Sequence, residues 1–217
     1  MKSLIVLIST FFIATISFSQ QNDPAAKKVL DGVSAKFKTF KSVQVAFTLR
    51  NEDSKGGLLG SKKGTASLKG NRYRVSVAGT GQEIFCDGTN IWTYDKSSNE
   101  VTITKPDNSA NTITMQKLFT SFYDKDFLYK MNGDKTINKK AVQEIEMTPV
   151  DKTKPFHKVY LLVDKQSKTI YSTRILDKSG NVVVYTVNTM NGSANLPDNL
   201  FVFDKSKYPG VEVIDLR

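Results

Sequence analysis

The sequence predicts a mainly β protein of the α+β kind, a curved antiparallel sheet of about ten strands with two or three helices lying on it. Three features of the pattern point there. Apolar residues recur at helical period only near the start and once more near the middle of the chain. From residue 43 onward most segments instead alternate apolar and polar residues with a period of two. Turn-forming residues separate these segments at short intervals.

The first element is a helix over residues 25–40. Val29, Leu30, Val33, Phe37 and Phe40 form one stripe at spacings of one, three, four and three, and Lys27, Lys28, Lys36 and Lys38 occupy the other side. Asp23-Pro24 supplies an N-cap followed by a proline at the first helical position, where its missing N–H costs nothing. The period then changes to two: Val43, Val45, Phe47 and Leu49 alternate with polar or small residues, as in a half-buried strand. Residues 51–63 are polar and glycine-rich and read as a loop or a frayed hairpin tip. Strands follow at 64–69 and at 72–77, where Tyr73, Val75 and Val77 share a face. Residues 82–86 and 91–94 are joined through Asp87-Gly88, a strong hairpin signal, and 101–104 adds a short strand.

A second amphipathic helix is expected over residues 111–122, carried by Ile113, Met115, Leu118, Phe119 and Phe122. Phe127, Leu128 and Tyr129 extend the apolar patch as either helix or strand. Strands resume at 141–147, 158–163, 169–176 and 182–188, with a turn at 177–181 between the last two. Residues 200–203 and 211–214 suggest a final strand pair.

The first nineteen residues place the rest. Met1-Lys2 is followed by an almost wholly apolar run to Phe18, with small Ser17 and Ser19 at the spacing read by a signal peptidase. The run is too short for a comfortable membrane span. The expectation is an exported protein cut after Ser19, with residues 20–217 as a single domain and no lipid-anchoring Cys at the cleavage point. Of 31 Lys and Arg against 21 Asp and Glu, only Lys2 is lost with the leader, so the mature chain keeps nearly all of the net charge of +10. Such a balance suits anionic lipid headgroups, an acidic polymer or an acidic partner protein. Nucleic acid is not expected, because the lysines are spread along the chain rather than massed on one element.

The chemistry-bearing residues argue against an enzyme. Cys86 is the single cysteine, which rules out an intramolecular disulfide, and reads as a small buried hydrophobe. His157 is the single histidine, at a strand start. A Cys86–His157 pair is formally possible, but a lone His at a strand edge is far more often solvated. No His/Cys cluster offers a metal three or four ligands, and no cofactor motif is present. Glu144 and Glu146 read as the solvent face opposite Ile145 and Met147, and Gly79-Thr80-Gly81 as a turn rather than a phosphate loop. Large apolar residues are instead abundant: Phe47, Tyr73, Phe85, Trp92, Tyr185, Phe201 and Phe203. A curved sheet covered by helices encloses either an ordinary core or a concave site for a small hydrophobic ligand.

The segment Gln82-Glu83-Ile84-Phe85-Cys86-Asp87-Gly88-Thr89-Asn90-Ile91-Trp92-Thr93-Tyr94-Asp95 resembles the mid-sheet hairpin of the LolA-type periplasmic carriers of outer-membrane lipoproteins. Phe201-Val202-Phe203-Asp204 followed by Pro209-Gly210-Val211-Glu212-Val213-Ile214-Asp215 is similar to that family's closing strand pair. The opening helix, Phe40 to Phe47 and Gly64 to Lys69 follow its first third in order. The resemblance implies an unclosed antiparallel β-barrel covered by a helical lid, with lipoprotein acyl chains held between them. It also implies a periplasmic monomer that receives its cargo from an inner-membrane lipoprotein-releasing ABC transporter and passes it to an outer-membrane acceptor. Under this reading Phe47, Leu49, Trp92, Met115, Leu118, Phe119 and Phe122 contact lipid, while Leu30, Val33 and Phe37 belong to a lid helix. The chain departs from the family at Lys69-Gly70-Asn71, where a Lys-Arg-Pro sequence is typical and its Arg latches the lid. The rival expectation is a periplasmic binding or scaffold module with a filled core, docking an anionic polymer or another lipid through its lysines.

Overall fold

The computed structural model describes residues 22–106 and 123–217. The leader, the expected helix at 111–122, and with it Met115, Leu118, Phe119 and Phe122, lie outside the described residues.

The first element among the described residues is α1 (Pro24–Lys38). Asp23 Oδ1 accepts the N–H of Ala25 at 2.8 Å and Pro24 stands at the first position, as the sequence predicts. Six strands follow: β1 (Val43–Glu52), β2 (Leu58–Lys69), β3 (Arg72–Val77), β4 (Gln82–Cys86), β5 (Ile91–Asp95) and β6 (Glu100–Thr104). A single-turn helix α2 (Tyr123–Asp126) leads into β7 (Phe127–Ile137), β8 (Lys140–Pro149), β9 (Phe156–Asp164), β10 (Ile170–Asp177) and β11 (Val182–Asn191). After two 3₁₀ turns, β12 (Glu212–Asp215) ends the chain.

All twelve strands form one sheet in the order β12-β6-β5-β4-β3-β2-β1-β11-β10-β9-β8-β7. Every pairing is antiparallel except β12 on β6. The two ends do not pair with each other, so the barrel is unclosed. Its curvature follows from the core. Val43, Val45 and Phe47 of β1, Ala66 and Leu68 of β2, Ile145 and Met147 of β8, and Leu161 of β9 share one buried cluster. In a flat sheet β2 and β8 would stand five strand spacings, roughly 24 Å, apart. The sheet curls around α1, whose Ala26, Leu30, Val33 and Phe37 fill the trough between them.

The sheet, expected at about ten strands, has twelve among the described residues. Two expectations are corrected. Residues 58–63, expected as loop, are the first half of β2, paired with β1 through Gly60–Asn51 and Ser61–Arg50. Residues 200–203 do not form a strand: Asp198–Phe201 is a 3₁₀ turn, and only β12 pairs, with β6. The segment from Phe127, which the sequence allows as helix or strand, is strand β7.

Candidate functional site

Register decides which residues share a face. In-register partners across β1–β5 run Val45–Ala66–Val75–Ile84–Thr93 on one face and Ala46–Thr65–Ser76–Glu83–Tyr94 on the other. The first face is the inner one, since Val45, Ala66 and Val75 pack in the cluster with α1. It continues across the rest of the sheet through Leu49–Tyr185, Tyr185–Thr173, Thr173–Leu161, Leu161–Ile145 and Ile145–Met131. Beyond the part covered by α1, the inner face keeps half-buried apolar side chains: Leu49, Val75, Val77, Ile175 and Tyr185. Burial raises the Tyr185 phenol above its ordinary pKa, so the hydroxyl stays neutral there.

The expected site residues divide between these faces. Phe47 and Leu49 are inner, with the Phe47 ring 6.0 Å from that of Tyr185 and lying over Gly64, its cross-strand partner. Trp92 is on the outer face. It is the register partner of Phe85 and packs with Phe85, Tyr94, Val101, Phe203 and Val211 in a second cluster. The C-terminal segment covers this cluster, with the Phe203 ring 5.7 Å from Phe85, 5.7 Å from Tyr94 and 4.4 Å from Tyr208. Sequence reasoning misses this cover. Its signal is the pair of apolar residues Phe203 and Val211, which serve a second core instead of a strand pair.

Leu30, Val33 and Phe37 are buried in the main core, and α1 is fastened at both ends. At its start Asp23 N–H donates to Tyr129 O at 3.1 Å, Met131 N–H donates to Asp23 Oδ2 at 2.8 Å, and Tyr129 N–H donates to Asn22 Oδ1 at 3.0 Å. The N–H of Met131, followed by that of Ala25, holds the Asp23 carboxyl below the ordinary aspartate range. Midway, Tyr123 Oη donates to Asp31 Oδ1 at 2.6 Å. Past its end, the Phe40 ring lies over Gly192 and Ser42 Oγ donates to Ala194 O.

At Lys69-Gly70-Asn71, where the resemblance implies a Lys-Arg-Pro sequence, Gly70 turns the chain with φ +60° and the neighbouring cations are engaged as follows. Lys69 Nζ donates to Leu196 O at 2.9 Å and pairs with Asp198 at 2.7 Å, while Arg72 meets the same carboxylate at 3.0 Å. Both bind the segment leading to the C-terminus rather than α1.

Cys86 and His157 do not meet. They stand on β4 and β9, six strand spacings or roughly 29 Å apart along the sheet. Cys86 is 1% exposed, and burial raises its thiol pKa, which suppresses the nucleophilic thiolate. His157 is exposed, its Nδ1 3.2 Å from the carbonyl oxygen of Asp177. Glu144 and Glu146 are held by Lys135 at 2.6 Å and Lys158 at 2.7 Å. No group of three or more His, Cys, Asp or Glu side chains poised for a metal occurs among the described residues.

A sequence model of the family described as outer membrane lipoprotein carrier protein LolA matches residues 38–204. The chain belongs to the LolA family. A curated relative from Cupriavidus pinatubonensis, named outer-membrane lipoprotein carrier protein, is 28% identical over 127 residues. That alignment spans 58% of this chain and 57% of the relative. Among solved structures, an uncharacterized conserved protein from Thermus thermophilus superposes with a TM-score of 0.60 at 13% identity. The match covers 88% of this chain and 99% of that one. The lipoprotein LppX of Mycobacterium tuberculosis superposes with a TM-score of 0.50 at 15% identity, over 81% of this chain and all of that one. The two solved structures share the fold, and the family whose model matches is one of lipoprotein carriers.

Proposed function

We propose that the protein is an envelope carrier that takes up the acyl chains of lipoproteins against the inner face of its sheet and moves them from the inner to the outer membrane. The single observation that carries this reading is the apolar inner face extending past α1, where Leu49, Val75, Val77, Ile175 and Tyr185 are half-buried rather than sealed in core. Phe47 forms the floor beside them, and Met115, Leu118, Phe119 and Phe122 complete the apolar lining in this proposal. In it, α1 is a fixed wall, since hydrogen bonds fasten it to β7. Trp92, on the outer face, takes no part in cargo binding.

The energetics call for such a carrier. At roughly 0.8 kcal/mol per buried CH₂, exposing a chain of about sixteen carbons to water costs on the order of 12 kcal/mol. A lipoprotein with several chains therefore needs an enclosed passage between membranes. The donor in this reading is an inner-membrane lipoprotein-releasing ABC transporter, the acceptor sits in the outer membrane, and the protein works in the periplasm as a monomer without a cofactor. Mass spectrometry of material co-purifying with the protein from its native envelope tests the proposal. Acylated lipoproteins are the expected passengers. A protein recovered without any lipid or lipoprotein, under conditions that preserve binding, contradicts it.

A further inference from the structure

We propose that the end of the molecule at which α1 terminates is a docking surface for an anionic lipid bilayer. Three segments come together there: residues 28–36 of α1, the β7–β8 turn and the β9–β10 turn. Their contacts confirm the proximity. Asn138 Nδ2 donates to Tyr171 Oη at 3.0 Å, and Lys140 Nζ lies 5.8 Å from the centre of the Tyr171 ring. The Lys168 side chain passes 4.0 Å from where a Cβ on Gly32 of α1 would stand.

Six lysines converge on this end: Lys28, Lys36, Lys139, Lys140, Lys165 and Lys168. Lys165 pairs with Asp134 at 2.6 Å and Lys140 approaches Asp164 at 3.5 Å. Asp164 is also engaged by its own turn, accepting the N–H groups of Gln166 and Ser167 at 2.9 Å each. The other four lysines form no ion pair with a described residue. Two of the six, Lys139 and Lys168, sit at left-handed turn positions with φ of 65° and 56°, a conformation more usual for Gly or Asn. Two clefts of about 350 and 340 Å³ meet at Asp164. Lys36 and Lys140 line one, and Lys28, Lys165 and Lys168 line the other over Val29 and Val163. They give headgroups room to enter between the lysines.

Among the described residues, the turns at the opposite end of the sheet carry both signs of charge. Asp53, Asp95, Asp151 and Asp177 stand in its turns beside the lysines, each accepting a turn N–H. The composition of the basic end favours a bilayer over a protein partner. Protein interfaces are depleted of lysine and enriched in arginine and aromatic residues. Lysine, a mobile point charge, suits a plane of exchangeable headgroups, and each contributes roughly fivefold to binding.

The test is sedimentation of the protein with vesicles of phosphatidylcholine containing about one-third phosphatidylglycerol, against vesicles of phosphatidylcholine alone. The wild type is expected to bind only the anionic vesicles, and to release them as salt shortens the screening length. The triple variant Lys139→Gln/Lys140→Gln/Lys168→Gln is expected to bind about 100-fold more weakly. A control triple at the other end, Lys55→Gln/Lys96→Gln/Lys125→Gln, removes the same charge and is expected to bind as the wild type does. Three results overturn the proposal: no binding to anionic vesicles, equal loss in both triples, or equal binding to neutral vesicles. Binding of a fluorescent acyl probe, measured in the same samples, reads the cargo groove separately and is expected to be unchanged in both triples.

Discussion

Gly64 has no side chain because Phe47 occupies that space. A Cβ at Gly64 would lie 2.3 Å from Phe47 Cζ, well inside contact distance, and the ring is packed between Gly64 and Tyr185. This is a cross-strand pair in which a large ring covers a glycine on a sheet face. Gly64→Ala is expected to destabilise the protein by about 1–3 kcal/mol, the usual cost of overpacking, measured as a lower urea midpoint with unchanged slope. An unchanged midpoint would mean that the ring is free to move aside. Gly88 makes the complementary case in the β4–β5 turn. Its φ of +94° needs a glycine, and Asp87 Oδ1 closes the turn by accepting the N–H groups of Thr89 and Asn90 at 2.7 Å each. The Asp-Gly pair is therefore a turn signal with a visible mechanism, although the loop it closes is longer than a two-residue hairpin.

Among the elements, α1 owes its place to its first residues as much as to its apolar stripe. Asp23 caps the helix and also pairs with the edge strand β7, so one carboxylate fixes both. Its pKa is depressed below 3.8, chiefly by the Met131 N–H and then by that of Ala25. A depressed carboxyl contributes stability that is fully present above the unfolded pKa and is lost as pH falls through the folded one. Asp23→Ala is thus expected to cost about 1 kcal/mol at pH 7, with the gap from wild type shrinking below about pH 4. Thermal melts of both proteins across that range check it, and a gap that persists at about pH 2 would point to a structural rather than an ionic role.

The same elements show what the sequence displays and what it hides. The helix is legible because Asp23-Pro24 and a 3.6-residue stripe agree, and β1 because one face is buried and the alternation is therefore sharp. Residues 58–63 are not legible, because both faces of that half of β2 are largely exposed and carry no alternation; Leu58 is 57% and Leu59 64% exposed. The C-terminal segment deceives because β12 pairs with β6, more than a hundred residues earlier, and local pattern does not report distant partners. Trp92 shows the limit for the site. Its hairpin pairing puts it on one face with Phe85, but only the register accumulated across the sheet says that this face is the outer one.

For the molecule taken entire, the division between two faces has a spectroscopic consequence. Trp92 is the single tryptophan of the chain, and it lies on the face away from α1. An acyl chain brominated along its length, bound against the inner face, is expected to leave Trp92 emission nearly unquenched. Phe203→Ala, on the same outer face, is expected to cost about 3–5 kcal/mol of stability while acyl binding survives in the folded fraction. Strong quenching, or loss of binding without loss of stability, would move the cargo to the outer face.

The carrier reading rests on the part of the inner face beyond α1 being a binding surface rather than ordinary core. Titration of a fluorescent fatty-acyl probe into the wild type and into Leu49→Asp, with urea denaturation of both, separates the two. Leu49 is half-buried at the margin of the core, so a carboxylate there retains water and folding is expected to survive. The expected result is saturable binding by the wild type and a folded variant that has lost it. A wild type that never binds the probe, together with a variant that unfolds, would mean that the face is ordinary core and that the carrier reading is wrong.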